Sequence, residues 1–292
     1  MTTLHIFKAS ISTALAAALL YGCAASDAPP ITTSTANSTY PSLRKALDCL
    51  PQGAALMAAH RGTSRSWAVP ENSISGLNKL IADGYKVAEI DIAGTKDGVL
   101  FSYHDGVWEE MSTGSGAVAA SSAADLENIL LKTRAGELTT DRPPLFDDLL
   151  TTAKNKIYLE IDFKSSAKFE PVIDAIRTAG MTDQVVLIAY SDGQAKKLAR
   201  LAPDMLLSVP PTAARPQDLV WLGNDAGDDT IAKPLLSNGS TVIGRVWKRS
   251  EADNLGDILD NAKLVVTDYM EQYDPVMRLT DEMAYKACLA TN

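Results

Sequence analysis

A chain of 292 residues with 36 acidic against 27 basic side chains carries a formal charge of −9, which argues against the basic footprint of a nucleic-acid-binding protein. The same balance leaves no polybasic patch for a membrane, so membrane contact would need a lipid. Three cysteines and three histidines are few enough that each can be asked for its purpose.

The N-terminus holds Lys8, an apolar run from Ala9 to Gly22, and then Cys23. One positive charge, an apolar stretch and a small residue before the cut describe a secretory signal. The run is shorter than the roughly 20 residues that a spanning helix requires. Leu20-Tyr21-Gly22-Cys23 resembles a bacterial lipoprotein cleavage box, in which the cysteine is lipidated and becomes the first residue. Tyr21 is bulkier than that pattern usually carries, and ordinary signal cleavage nearby is the alternative. Residues 23–42, rich in Ala, Ser, Thr and Pro, bury too little to order themselves and are expected to be a flexible tether. The expected location is the periplasm or an outer-membrane anchor, with extracellular release as the alternative. With Cys23 set apart, Cys49 and Cys288 form an even pair at the two ends of the folded region. A disulfide between them would close nearly the whole domain into one loop; two ordinary buried thiols are the other reading.

From residue 43 to 292 no second linker interrupts the composition, and one α/β domain is expected. Apolar or β-branched runs occur at Ala54–Ala59, Val87–Ile92, Val99–Tyr103, Ile157–Phe163, Val185–Tyr190, Leu206–Val209, Val242–Val246 and Leu264–Val266. Amphipathic stretches lie between most of them: Ile74–Ala82, Ala167–Ala179 ending at Gly180, Gln194–Leu201, Glu251–Asn261 and Asp274–Ala290. Apolar strands alternating with helices imply a parallel sheet covered by helices. Eight of them predict a closed (β/α)₈ barrel, with a doubly wound open sheet as the alternative. The second and third runs are joined by a short turn rather than a helix.

Beyond the signal segment only two histidines remain, His60 and His104, each closing a predicted strand on the side where a parallel barrel carries its active face. Two imidazoles there can serve as general base and general acid. Glu89 and Asp91 are one residue apart in a strand and share a side, as do Glu160 and Asp162. Carboxylates buried at a barrel mouth are costly unless a cation or hydrogen-bond donors neutralise them, and hard oxygen ligands of this kind favour Ca²⁺ or Mg²⁺. Solvent-facing alternation is the other reading of an acid-x-acid strand. Trp67 and Trp108 fall in loops on that face, either as loop anchors or as an apolar surface for substrate. Asn224–Asp229 lacks the spacing of a calcium loop and reads as a polar surface loop.

In order, His60-Arg61-Gly62, Pro70-Glu71-Asn72-Ser73, Glu89-Ile90-Asp91, Thr95-Lys96-Asp97-Gly98 and His104-Asp105 resemble the N-terminal signature of the glycerophosphodiester phosphodiesterase family. Weaker similarity continues through Thr113-Gly114-Ser115-Gly116, Pro144-Leu145-Phe146, the Glu160 strand and Thr267-Asp268-Tyr269. The resemblance implies a TIM barrel with His60 and His104 as acid and base. It implies a divalent cation, Ca²⁺ or Mg²⁺, on Glu89, Asp91 and Glu160. It also places Arg61 on the phosphate and Glu71 either on Arg61 or in the metal shell. The family commonly has lysine two residues after the late glutamate; here that position is Asp162, and Lys164 stands two residues further with the same facing. The implied reaction is hydrolysis of a glycerophosphodiester to glycerol 3-phosphate and an alcohol. Water or the substrate's own glycerol hydroxyl serves as nucleophile. Two alternatives are a lysophospholipase D or sphingomyelinase D-like activity on lipids, and a non-catalytic lipoprotein that binds phosphodiesters.

Overall fold

The computed structural model describes residues 40–248 and 254–291. The expected signal segment, Cys23 and the tether up to residue 39 fall outside them, as does the start of the helix expected from Glu251. Among the described residues no helix is long and apolar enough to cross a membrane.

The chain enters through α1 (Leu43–Asp48), capped by the Ser42 hydroxyl, and then forms β1 (Ala55–Ala59). Ser73 caps α2 (Ile74–Ala82), which leads to β2 (Val87–Gly94) and the short β3 (Leu100–Ser102). A long excursion carrying α3 (Ala123–Leu126) returns to α4 (Phe146–Ala153), β4 (Tyr158–Phe163) and α5 (Phe169–Ala179). Next come β5 (Val185–Ile188), α6 (Asp192–Leu201), β6 (Leu206–Val209), β7 (Leu219–Gly223) and α7 (Asp229–Ser237). The domain finishes with β8 (Thr241–Val246), α8 (Leu255–Asn261), β9 (Ala262–Thr267), β10 (Val276–Met277) and α9 (Glu282–Ala290).

Strands β1, β2, β4, β5, β6, β7, β8 and β9 are parallel neighbours in that order, and β1 pairs with both β9 and β2. The sheet therefore closes into an eight-stranded parallel barrel, a TIM barrel, as the strand count predicted. Its membership differs from the expectation at one strand. The run at Val99–Tyr103 supplies β3, which pairs antiparallel with β2 through Ile92↔Ser102 and Gly94↔Leu100 and lies outside the barrel. The missing barrel strand is β7. Its five residues follow a proline-rich loop, and the helix after it contains Pro234, so neither half of that βα unit shows a clean period. The helix expected over Asp274–Ala290 is shorter, because Pro275 leads into β10, which pairs antiparallel with β1 at Ala55 and Leu56.

Alternation along the strands sorts side chains into two cores. Leu56, Ala58, Val87, Tyr158, Val186, Leu219, Ile243, Leu264 and Val266 fill the barrel interior, while Met57, Ala88, Ile90, Leu159, Ile161 and Val265 face the helices. Leu43, Ala46 and Leu47 of α1 join the interior cluster and plug the N-terminal end. Cys49, at the end of α1, is disulfide-bonded to Cys288 of α9 with Cα atoms 5.8 Å apart. A third, smaller core of Phe101, Tyr103, Trp108, Val118, Leu126, Ile129 and Leu131 stabilises the excursion between β3 and α4.

Candidate active site

Because the side-chain period of a strand is two, residues two and four steps beyond the interior layer point into the open end of the barrel. From Val87 the steps are Glu89 and Asp91; from Tyr158, Glu160 and Asp162, then Lys164. The parallel register sets Glu89 beside Glu160 and Asp91 beside Asp162. Four carboxylates thus stand in two layers, each at most 6% exposed. Oxygens of Glu89, Asp91 and Asp162 lie within 4.8 Å of one another. Lys164 reaches back with Nζ at 2.6 Å from both Asp91 Oδ1 and Asp162 Oδ2.

These acids are under-neutralised. Burial, together with the charges of Asp91 and Asp162, holds the Glu89 carboxyl well above its usual range. Burial pushes Glu160 up to about 7. Asp91 goes the other way: burial opposes its ionisation, but Lys164, His104 and Asn72 outweigh burial and hold it low. Neither oxygen of Glu160 nor Asp162 Oδ1 meets a donor in good hydrogen-bond geometry, although the Ser208 hydroxyl stands near Glu160 and the Tyr190 hydroxyl near Asp162. Poorly partnered oxygens in and beside a tight carboxylate cluster fit a hard divalent cation, and a single lysine does not balance four acids.

His60 leaves β1 in a tight turn in which Arg61 adopts the left-handed region (φ 56°). Asn72, also left-handed (φ 53°), donates its N–H to the Arg61 carbonyl at 2.7 Å, and the Arg61 N–H donates to Glu89 Oε2 at 2.8 Å. Two such non-glycine residues in contact mark a turn held against its backbone preference. Gly76, in the first turn of α2, permits the approach, since a Cβ there would stand 2.6 Å from the Gly62 carbonyl. Asn72 also clamps Asp91: Nδ2 donates to Asp91 Oδ2 at 2.6 Å, and Oδ1 accepts from the Asp91 N–H at 3.0 Å. Ser73, not Asn72, is the helix cap.

Each histidine has its Nδ1 against a carboxylate. His60 meets Asp268 Oδ1 at 2.8 Å, and His104 meets Asp105 Oδ1 at 2.7 Å. His104 arrives by a different route from the one expected. It follows a strand running back toward the mouth, because β3 is antiparallel to β2. Arg61 joins this side of the site, with Nη1 donating to Glu71 Oε1 at 2.8 Å and Nη2 3.0 Å from His104 Nε2. Of the two positions open to Glu71, it takes the one on Arg61.

Both histidines, the four acids and Lys164 line one cavity of about 410 Å³. Its opposite wall is Ile188, Tyr190, Pro210, Trp221 and Trp247, again residues on the inward face of their strands or just past the strand ends. Trp247 packs against His60 with ring centroids 4.4 Å apart. Trp67 and Trp108 do not line the cavity. Trp67 is covered by Lys79 at 4.4 Å and packs on Tyr85, while Trp108 donates to Ser121 and packs on Tyr103. Both are loop anchors. Asn224–Gly227 forms a short turn before α7, with Ala226 buried and Asp228 capping the helix.

Among the predicted residues, Glu160 sits in the deeper acid layer, and Asp162 completes the tight cluster in its place. Tyr190, Trp221 and Trp247 carry no signal in the sequence, and Asp268 is legible there only as part of the Thr267-Asp268-Tyr269 segment, without its role on His60. Inward parity continued past Val266 would have found Asp268, but the aromatic wall has no local signature.

A parallel barrel whose C-terminal mouth combines buried carboxylates, a lysine and two carboxylate-backed imidazoles is equipped for acid–base chemistry on an anionic substrate. Residues 60–204 match the model of the glycerophosphoryl diester phosphodiesterase family. The probable glycerophosphodiester phosphodiesterase 2 of Mycobacterium tuberculosis is 24% identical over 238 residues, covering 73% of this chain and 87% of the relative. A glycerophosphoryl diester phosphodiesterase of Parabacteroides distasonis superimposes with a TM-score of 0.64 at 19% identity, covering 77% of this chain and 87% of that one. An Oleispira antarctica phosphodiesterase, solved with the product sn-glycerol-3-phosphate, gives a TM-score of 0.62 at 18% identity over 78% of this chain and 96% of that chain. Residues 60–204, which carry most of the barrel's charged wall, thus belong to the glycerophosphoryl diester phosphodiesterase family.

Proposed function

We propose that this enzyme hydrolyses glycerophosphodiesters to glycerol 3-phosphate and an alcohol, with a divalent cation and with His60 and His104 moving the protons. The observation that carries the reading is the convergence of two carboxylate-backed imidazoles and a buried acid cluster on one cavity. When bound, Ca²⁺ or Mg²⁺ held by Glu89, Asp91 and Asp162, with Glu160 beside Glu89 in the deeper layer, supplies positive charge to the phosphoryl oxygens. Arg61 and Lys164 add fixed cationic donors to the same side. Carboxylates on both Nδ1 atoms orient each ring with Nε2 away from its acid. One Nε2 accepts the nucleophile's proton while the other protonates the leaving alkoxide, with His104 Nε2 exchanging its Arg61 contact for the substrate. Glycerol 3-phosphate in the Oleispira antarctica relative supports the product assignment.

The cavity, about 410 Å³, suits a headgroup-sized diester, and the acyl chain of a lysolipid would extend beyond its mouth. Glycerophosphocholine and lysophosphatidylcholine, assayed side by side after chelation and return of Ca²⁺ or Mg²⁺, separate the readings. Cleavage of the lysolipid alone makes the enzyme a lipid phosphodiesterase, and no turnover of any diester makes it a binding protein. Turnover that survives both chelation and His60→Ala contradicts the mechanism.

The reading extends to location: export through the N-terminal signal with Cys23 lipidated, a setting that agrees with the Cys49–Cys288 disulfide. Mass measurement of the mature N-terminus tests it.

A further inference from the structure

Arg134 belongs to no motif that the sequence singled out, and it lies far along the chain from every other site residue. It occupies a turn, Thr133–Gly136, closed by the Gly136 N–H donating to the Thr133 carbonyl at 2.8 Å. Gly136 takes φ 84°, and Thr133 Oγ1 accepts from the Glu137 N–H at 3.2 Å, so the turn is fixed at both ends. Leu131 roots the same hairpin in the excursion's own core. An arginine at such a tip would ordinarily extend into water, yet this side chain is only 18% exposed. It folds inward, with Nε 3.1 Å from Glu71 Oε2 and Nη2 3.7 Å from Asp268 Oδ1.

Those two carboxylates are the supports of the two halves of the reaction centre. Glu71 holds Arg61, which reaches His104; Asp268 holds His60. A continuous polar chain therefore crosses the rim from His60 through Asp268, Arg134, Glu71 and Arg61 to His104. Arg134 comes from the far part of the excursion, about thirty residues beyond His104, rather than from the barrel mouth or α2's approach. Arg61 and Arg134 are matched in charge by Glu71 and Asp268, so the contribution of Arg134 is placement: it divides Glu71 between two guanidinium groups and ties it to the acid behind His60.

We infer that Arg134 is a positioning residue that bridges Glu71 and Asp268, aligning Arg61 on one side of the cavity with His60 on the other. This inference rests on the functional reading above for its reaction, but not for its geometry. A planar fork can meet both carboxylates at once, whereas an ammonium offers one point.

The test compares wild type, Arg134→Gln, Arg134→Lys, Glu71→Gln and the Glu71→Gln/Arg134→Gln pair, each as the full chain with cation supplied. Readouts are kcat and KM on glycerophosphocholine, glycerol 3-phosphate binding by calorimetry, and the thermal unfolding midpoint. Arg134→Gln is expected to lower kcat/KM by about tenfold to a hundredfold, the scale of a small misplacement of reacting groups, and to weaken glycerol 3-phosphate binding in parallel. Its unfolding midpoint should stay close to that of wild type. Arg134→Lys, whose longer-range charge and stem are retained, should fall between the two even if the glutamine variant folds poorly. In the Glu71→Gln background, further loss of Arg134 should cost little, because the two act as a unit. Wild-type kinetics and product binding in Arg134→Gln or Arg134→Lys would overturn the inference, as would fully additive losses in the pair. If wild type turned over no glycerophosphodiester at all, the functional reading would fall, and the glycerol 3-phosphate binding series would still decide the role of Arg134.

Discussion

The wall of the cavity built from β1, β2 and β4 carries His60, Glu89, Asp91, Glu160, Asp162 and Lys164, whereas the wall from β5 to β8 and just beyond carries Ile188, Tyr190, Pro210, Trp221 and Trp247. On the first wall the polar groups are held at short range, Asn72 on Asp91, Lys164 between two acids and the Arg61 N–H on Glu89, with the Glu160 oxygens and Asp162 Oδ1 left for a cation. On the second, shape and apolar surface dominate, with Tyr190 two-thirds exposed at the mouth. One barrel thus separates reaction chemistry from substrate selection. Charges need preorganised partners at short range, while an apolar wall needs only area and contour. Changes on the charged wall should therefore act on kcat, and changes on the aromatic wall on KM and on the choice of alcohol.

The sharpest attempt to break this division is Asp91→Asn, which removes a cluster carboxylate and leaves Lys164 and Asn72 misaligned. A fall in kcat of about a hundredfold to a thousandfold is expected in steady-state assays. A variant that lost only affinity would place Asp91 on the selecting side. Next in size, Asp268→Asn should reduce kcat by about a hundredfold or more, since it unpins His60 Nδ1. A loss confined to KM would contradict the role given to that pair.

On the facing wall, Trp221→Ala should raise KM by about tenfold for a bulky or choline-bearing alcohol and much less for a small one, with kcat little changed. An equal loss for all alcohols would mean that the aromatic wall belongs to the reaction rather than to recognition. Tyr190→Ala removes a hydroxyl turned toward Asp162 as well as a largely exposed ring, so it should lower kcat modestly along with a weak rise in KM.

Proton competition sharpens the comparison without a mutation. With its pKa raised to about 7 from 4.5, Glu160 holds its proton more tightly in the folded state than in the unfolded one. In the chelated protein its contribution therefore favours folding at low pH and is lost as pH rises from about 4.5 through 7. Ca²⁺ or Mg²⁺ should then raise the unfolding midpoint more at pH 8 than at pH 5.5, measured by thermal melts, and Glu160→Gln should shrink that difference. Smallest in its effect on turnover is the distant disulfide. Replacing Cys49 and Cys288 by serine should leave kcat unchanged while lowering stability by about 2–5 kcal/mol in denaturant titrations. A large change in kcat would couple the plugged end of the barrel to its mouth.

The charged wall was legible because strand parity and short motifs report it directly. Glu89-x-Asp91 and Glu160-x-Asp162 must share a face, whichever strands flank them, and His60 and His104 close apolar runs. The aromatic wall was not legible. Tyr190, Trp221 and Trp247 belong to separate βα units, and only barrel closure brings them opposite the acids. The strand list failed at the same place: β7, which carries Trp221, is short and followed by a helix containing proline, while β3 imitated a barrel strand.

The amino-acid order alone determined the alternation of strands and helices, the facing of each carboxylate and the family signature, since these depend on contacts within a few residues. Which acid completes the cluster, which carboxylate supports each imidazole and how Arg134 spans the rim were decided by tertiary structure. Register between strands and the docking of the excursion set those distances, and side chains more than a hundred residues apart meet only after the barrel has closed.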